Sequence, residues 1–243
     1  MQKIVALVFL FACSLGAFAQ SANEYFSLGV NAYTKGDYAS AKDYFAKSLE
    51  KADTPQCNYN LANACLKLGQ NGLAKAHYMR ALYEMPRFRE AQSNLNSLNK
   101  KTGFDNFSFS KYDEFLNELS YNEWVVIAAI SVWGAIFLLV VLPLMRKSAP
   151  WQIFLGIILL LVFFVSACGA YYWREYLNCV VSVGGESQLR LSPAAESPVV
   201  ATLKEGQLAG IAAQNNGFLL LETKGGKKGW AKADAKTFEK VAP

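Results

Sequence analysis

Few side chains in this sequence could do acid–base or covalent chemistry. The chain has 243 residues with one histidine and five cysteines. The histidine, His77, has no serine, cysteine or carboxylate at the spacing of a catalytic group, and a surface position on a helix is the simpler interpretation. No metal-ligand spacing appears either. We therefore predict a protein that is not an enzyme and that uses no cofactor or metal.

The cysteines do not form a disulfide framework. Cys57 and Cys65 lie on one predicted helix, about 12 Å apart along its axis, which is too far for a disulfide. We expect Cys65 at a packing position and Cys57 nearer the surface. Cys168 lies inside a long apolar run and Cys179 just after it. Paired cysteines are therefore not expected to stabilise this chain.

Two apolar runs organise the rest of the chain. They cover residues 124–145 and 151–173 and contain no charged side chain and no histidine. At about 1.5 Å per residue, each helix spans the roughly 30 Å hydrocarbon core of a bilayer. Aromatic residues at their ends are typical of membrane interfaces. The sequence predicts a transmembrane hairpin with a turn at 146–150, and the lack of ionisable groups favours an anchor over a transport pathway.

Small residues recur in both runs at four-residue spacing, Ser131 with Ala135 and Ser166 with Ala170. Such pairs let helices approach closely, either within the hairpin or against another membrane protein. Ordinary transmembrane composition is the alternative.

Residues 1–19 have the pattern of a secretory signal, with Lys3 before the apolar run 4–11 and Ala17-Phe18-Ala19 before Gln20. A lipid on Cys13 is the alternative.

A translocated N-terminus followed by two crossings places both soluble regions outside the cytoplasm. The turn is then cytoplasmic, in agreement with Arg146 and Lys147 within it.

An internal repeat fills residues 20–102. A set of small and aromatic positions recurs after 33 residues, and 88–101 is predicted to form a capping helix. The paired positions are Gly29 and Ala62, Gly36 and Gly69, Ala41 and Ala74, Phe45 and Tyr78, and Ser48 and Ala81. The pattern resembles the tetratricopeptide repeat, which implies an all-α solenoid of paired helices.

The resemblance further implies that the first helix of each pair lines a concave face that receives a peptide or helix of a partner protein. The face is aromatic instead of basic, so we do not predict a C-terminal carboxylate as its ligand. The alternative is that the same aromatics complete the core of a short array. The implied lining residues are Phe26, Val30, Tyr33, Tyr59, Asn63, Leu66, Ser93 and Ser97.

Residues 103–123 read as an amphipathic linker. Ser110 can cap a short helix with one apolar face. That face lies either in the lipid interface or on the end of the repeat stack. Its residues are Tyr112, Phe115, Leu116 and Leu119.

Residues 174–243 alternate short apolar runs with turn signals, which predicts strands near 179–183, 188–191, 199–203, 208–212, 218–223 and 229–231. The segments 189–193, 197–206, 217–218 and 229–231 resemble the bacterial SH3-like domain, which implies a small all-β barrel. Members of that family bind cell-wall peptides or proteins, and Phe218 and Trp230 are the implied ligand contacts. The alternative is that both rings fill a small core.

The formal net charge of +5 is spread along the chain, so nucleic-acid binding is not predicted. The order of signal, repeats, two-helix hairpin and SH3-like domain resembles the BatE family of the Bacteroides aerotolerance (Bat) operon. The resemblance implies a multi-pass inner-membrane protein with both soluble domains in the periplasm. Its implied partners are membrane proteins with von Willebrand A domains and a cytoplasmic ATPase of the MoxR type.

From these features we predict a membrane-anchored scaffold for protein–protein contacts, linked to tolerance of oxygen or other stress. The alternative is an envelope sensor that binds the cell wall, peptidoglycan, through its SH3-like domain.

Overall fold

The computed structural model describes residues 21–104, 118–145, 149–234 and 236–242, with the backbone alone for 174–177. The predicted signal at 1–19 and the linker residues Ser110, Tyr112, Phe115 and Leu116 lie outside the described residues. The chain forms two compact units. One combines the N-terminal region up to residue 107 with residues 178–243, and the other is residues 108–177.

Paired helices fill the N-terminal region, as the repeat pattern predicts. Each first helix ends at a glycine with a left-handed backbone: Gly36 (φ 81°), Gly69 (φ 75°) and Gly103 (φ 71°). Glycine adopts this conformation without the cost that a Cβ imposes. The helices are α1 (21–34), α2 (Tyr38–Lys51), α3 (Pro55–Lys67), α4 (Asn71–Glu84) and α5 (Arg89–Thr102).

Close packing explains the 33-residue pattern. A Cβ on Gly29 would lie 2.6 Å from the ring of Phe45, so α1 can approach α2 only with glycine there. In the second repeat, Ala62 and Tyr78 occupy the equivalent positions and are fully buried. The repeat therefore pairs a small residue with a ring at each helix contact.

The helices of the repeats begin with different caps. Asp37 accepts a hydrogen bond from the Ser40 N–H. Hydrogen bonding to the Ser40 side chain, followed by this bond to its N–H, holds the pKa of the Asp37 carboxyl below the usual value. Thr54 accepts from the Cys57 N–H at the start of α3. Helix α4 differs because Gln70, its cap residue, makes no side-chain capping hydrogen bond.

The second unit contains two apolar helices that are long enough to cross a membrane, Tyr121–Leu144 and Pro150–Trp173. Little of the most apolar stretch of each helix is buried within the structure: 11% of that stretch in the first helix and 17% in the second. Helix α6 (Tyr121–Ile136) begins with a capping box formed by Ser120 and Glu123. Helix α7 covers Pro150–Leu177.

A wide turn extends α6 at Phe137–Val141, followed by Leu142–Leu144. Pro143 has no N–H to donate to the carbonyl four residues earlier, so the regular hydrogen-bond pattern cannot pass through it. The Leu142 N–H donates to the Phe137 carbonyl, five residues back, which is the pattern of a π-helical turn.

Small residues lie where α6 meets α7. A Cβ on Gly156 would be 2.5 Å from Leu139, and one on Gly169 would be 2.5 Å from Trp124. Ser131 and Ala135 are buried in the same unit, and so is Ser166. These small side chains let the two helices of the hairpin approach each other.

The C-terminal region is a seven-stranded antiparallel sheet of order β3-β2-β6-β5-β4-β1-β7. We predicted a small all-β barrel, and the structure corrects this prediction: the strands form one antiparallel sheet that is not closed, because β3 and β7 remain at its two edges. Strand β7 has three residues, and α4 packs beside it. The strands are β1 (Cys179–Ser182), β2 (Ser187–Arg190), β3 (Val199–Leu203), β4 (Leu208–Asn215), β5 (Phe218–Thr223), β6 (Lys228–Lys232) and β7 (Phe238–Lys240).

The sheet encloses its core on one face, to which alternate residues of each strand point. We call this the inner face and the opposite one the outer face. The core residues are Val180, Leu189, Leu203, Ala209, Leu219, Leu221, Ala231 and Phe238.

Candidate protein-binding surfaces

A cluster of tyrosine and asparagine side chains joins the first helices of two repeats. Tyr59 and Asn63 come from α3, Tyr78 from α4 and Asn94 from α5. The Tyr78 hydroxyl donates to Asn63 Oδ1 at 2.5 Å, and Asn94 Nδ2 donates to the same oxygen at 3.1 Å. Asn94 Nδ2 also lies 3.3 Å from the Tyr59 hydroxyl. We call these four residues the tyrosine–asparagine cluster.

One aromatic contact extends this cluster, and a second aromatic pair lies in the preceding repeat. The rings of Tyr59 and Phe88 lie 4.9 Å apart between centroids. Tyr33 of α1 packs edge-on against Tyr38 at 5.1 Å. Burial, followed by the nearby hydroxyls of Tyr38 and Tyr59, raises the pKa of Tyr33.

The structure brings some of the predicted concave-face residues together and leaves others apart. Tyr59 and Asn63 belong to the cluster, and Tyr33 lies near it. Phe26 packs mainly on Phe45, with 5.8 Å between ring centroids, so it contributes to the packing of the first repeat. The remaining predicted residues, Val30, Leu66, Ser93 and Ser97, are half-buried or exposed.

Sequence reasoning missed Asn94 and Phe88 as parts of this surface, and it missed Tyr78 as the fully buried member of the cluster. Asn94 follows Asn60 at a spacing of 34 residues, one more than the shift between the first two repeats, and Asn60 donates to the Gln56 carbonyl of its own helix at 3.0 Å. Repeat alignment therefore gives no signal for the role of Asn94, because the role depends on a contact between different repeats.

His77 is buried and not on the surface as predicted, with 6% of the residue exposed. Its Nδ1 lies 3.0 Å from Asn58 Oδ1, and Asn58 Nδ2 donates to Asp53 at 2.5 Å. Burial, followed by the charges of Arg80 and Lys42, lowers the pKa of His77 to about 3. A neutral imidazole in a structural hydrogen-bond network follows from this geometry.

The cysteines of the repeats are buried free thiols. Cys57 is buried against our prediction of a near-surface position, and its thiol donates to the Phe45 carbonyl at 3.3 Å. Burial raises the pKa of Cys57 to about 11 and that of Cys65 to about 12. Within the described residues, no three His, Cys, Asp or Glu side chains come together as a metal site.

Helix α4 packs directly on the sheet, a contact that the sequence did not predict. The α4 N-terminus lacks a local side-chain cap, and Glu205 of the β3–β4 turn supplies one. Its Oε1 accepts a hydrogen bond from the Gly72 N–H at 2.7 Å. A carboxylate at this end of a helix also interacts favourably with the helix dipole.

The next turn of α4 buries a lysine in the same contact. Lys75 is fully buried, and its ammonium group donates to the Gly206 carbonyl at 2.8 Å. The ammonium also lies 5.4 Å from the ring centroid of Phe104, within the range of a cation–π interaction. A buried cation without such partners is strongly unfavourable, so these groups must remain together.

The far end of α4 makes an ion pair with β7. Arg80 Nη2 lies 3.2 Å from Glu239 Oε1 and donates to the Lys240 carbonyl at 2.8 Å. Burial raises the pKa of Glu239, whereas the guanidinium of Arg80 opposes that shift. Helix α4 is therefore held to the sheet at both ends by charged hydrogen bonds, each of which contributes about 1.5–3 kcal/mol.

Phe218 and Trp230 lie on the outer face of the sheet and are absent from its core cluster. Their strand neighbours Leu219 and Ala231 point inward, and alternation turns the two rings outward. Both rings are half-buried. The alternative that these rings fill the core does not hold.

Strand register places five outward residues in one row across five strands. Arg190 is paired with both Val199 and Trp230. Leu220 is paired with both Trp230 and Ala213. We call this series, Val199, Arg190, Trp230, Leu220 and Ala213, the outer row.

The tetratricopeptide repeat family matches residues 55–86, which cover α3 and α4. No curated protein matches the chain.

Proposed function

We propose that this protein is a membrane-anchored adaptor whose repeats bind a partner protein. The tyrosine–asparagine cluster is the observation that carries the proposal. Three of its members, Tyr59, Asn63 and Asn94, lie half-buried between repeats, and the fully buried Tyr78 supports them from below. Residues 55–86 match a repeat family associated with protein–protein interaction. Rings and amides of this kind are typical of protein-binding surfaces.

The cluster retains hydrogen-bonding capacity for a partner. Asn63 Oδ1 is used twice within the cluster, whereas the Asn63 amide N–H groups make no hydrogen bond with the described residues. Asn94 Oδ1 is likewise without a donor among those residues. A donor and an acceptor on one surface complement the C=O and N–H of a peptide backbone.

The contact between α4 and the sheet supports a common compartment for the two soluble regions. Gly72, Lys75 and Arg80 precede the two apolar helices in the chain, and Glu205, Gly206 and Glu239 follow them. These contacts form only if both segments lie on the same side of a membrane. An even number of crossings satisfies this condition, and the two apolar helices are long and apolar enough to provide two crossings.

The signal-like residues 1–19 favour the periplasmic side of an inner membrane. The resemblance to the BatE family supports partners with von Willebrand A domains and a role in tolerance of oxygen or other stress.

Crosslinking in native membranes tests the adaptor. We expect Tyr59→Ala and Asn63→Ala to reduce capture of the partner at least about tenfold, the loss that a central interface residue produces. Asn60→Ala is the matched control, because Asn60 lies on the same helix and bonds only to that helix. Equal capture by all three variants would contradict the proposal.

Binding of the cell wall through the sheet remains a separate prediction. The outward rings of Phe218 and Trp230 favour some ligand at this face. The test is sedimentation of the full chain with purified peptidoglycan, and loss of sedimentation in Trp230→Ala would support it. Residues 178–243 alone are unsuitable, because they pack on α4.

A further inference from the structure

The outer face of the sheet is covered at one end and open at the other. Val181 of β1 is paired with Glu239 of β7, and Val180 points to the core, so Val181 and Glu239 belong to the outer face. Glu239 forms its ion pair with Arg80, which places α4 against this part of the face. Strands β2, β3, β5 and β6, with the Ala213 end of β4, carry the open part, which includes the outer row.

The open part is apolar in the middle of the sheet. Trp230 and Leu220 face each other across β5 and β6 and are half-buried, and Val199 is 46% exposed. Phe218, paired with Lys232, extends the apolar area beside the row. Aromatic and aliphatic side chains in this arrangement are typical of an interface core.

The charges around the row are positive and without a carboxylate partner. Neither Arg190 nor Lys232 forms an ion pair with the described residues. Arg190 is held in place because it donates to the Ser197 carbonyl at 2.6 Å and to Gln188 Oε1 at 2.8 Å. Glu222 lies on the open part of the face and is already paired with Lys228 at 3.1 Å.

We propose that the outer row binds an amphipathic helix of a partner protein that carries carboxylates beside its apolar stripe. The same face already receives one helix, α4, at its β1–β7 end. Five strands at about 4.8 Å spacing give a row of about 19 Å, which a helix of about 13 residues covers. Carboxylates on that helix pair with Arg190 and Lys232.

The test uses the full chain in neutral detergent micelles and two labelled probes. Both are amphipathic helical peptides of about 13 residues with the same leucine and phenylalanine stripe. One has glutamate beside the stripe, and the other has lysine. We expect the glutamate peptide to bind and the lysine peptide to bind at least about tenfold more weakly, as measured by fluorescence anisotropy.

Two variants locate the binding site. Trp230→Ala removes the central ring, and Lys232→Glu reverses a charge at an exposed position without touching the core. Each is expected to weaken binding of the glutamate peptide at least about tenfold. Lys224→Glu is the matched control, because it makes the same charge change in the β5–β6 turn, and it should bind normally.

Several results would overturn the proposal. The full chain could bind the two peptides equally or bind neither of them, or the Lys232→Glu variant could bind the glutamate peptide as well as the original chain does. The full chain could also bind vesicles with anionic lipid, or purified peptidoglycan, in preference to the glutamate peptide. The combined variant Tyr59→Ala, Asn63→Ala should bind the glutamate peptide normally. Failure of the adaptor proposal and failure of this one are therefore distinguishable.

Discussion

Replacement of Gly206 by alanine tests the packing of the sheet on the repeats. Gly206 has a φ of 75°, and a Cβ there would lie 2.5 Å from the ring of Phe104. The left-handed backbone costs an ordinary residue about 1–2 kcal/mol. Overpacking against the ring adds about 1–3 kcal/mol, so we expect a total loss of about 2–5 kcal/mol.

Gly217→Ala is the matched control for this experiment. Gly217 has a φ of 78° with no atom within 4 Å of the added Cβ, so this variant should lose only the backbone contribution. The difference between the two variants isolates the contact with Phe104. Hydrogen exchange of the full chain in detergent gives the free energy of opening for α4 and for the sheet.

We expect Gly206→Ala to raise exchange in α4 as well as in the sheet, because the turn and the helix share one contact. In a Phe104→Ala background, Gly206→Ala should cost no more than Gly217→Ala. Equal costs of the two substitutions in the original chain, with α4 unaffected, would refute the reasoning.

Three further predictions follow from buried groups. Arg80→Met removes the cation beside Glu239 and is expected to destabilise the α4–sheet contact by about 1.5–3 kcal/mol in the same exchange measurement. Folding lowers the pKa of His77 from 6.5 to about 3, so the folded protein binds a proton at this imidazole less readily than the unfolded chain does. The contribution of His77 to the free energy of unfolding is therefore complete above about pH 6.5 and is lost as the pH falls toward 3. His77→Gln should remove this part of the pH dependence of thermal unfolding, and an unchanged dependence would contradict the assignment. The thiols of Cys57 and Cys65, with pKa values raised to about 11 and 12, should resist a maleimide at neutral pH until the protein unfolds, as mass spectrometry would show.

The repeat helices could be predicted well because their pattern is local. The spacing of Gly36 and Gly69 gives the helix ends directly, since each needs a left-handed backbone that glycine adopts most easily. The strands at 199–203 and 218–223 were also predicted at their observed bounds, because turn residues delimit each run. The Asn216–Gly217 turn, with φ of 44° and 78°, is an example.

The burial of α4 could not be predicted from its own sequence. Lys75 and His77 are polar residues that ordinarily lie on a helix surface. Their burial depends on groups far away in the chain, the Gly206 carbonyl for Lys75 and Asn58 for His77. A periodic pattern within one helix contains no information about such partners.

The open sheet and the outer row illustrate the same limit. The composition of 174–243 indicates strands, but closure depends on which strands become neighbours. Strand β7 was not predicted, and α4 lies beside it. Trp230 was identified as a candidate contact by resemblance, whereas its pairing with Arg190 and Leu220 required the register.

The central claim is that the repeats and the sheet form one unit on one side of a membrane. Lys47 and Lys224 are exposed positions in the repeats and the sheet, and each can be replaced by cysteine. A membrane-impermeant maleimide is then added to sealed vesicles of known orientation. The account predicts that both cysteines react from the same side, the periplasmic one. Reaction of the two cysteines from opposite sides would contradict it.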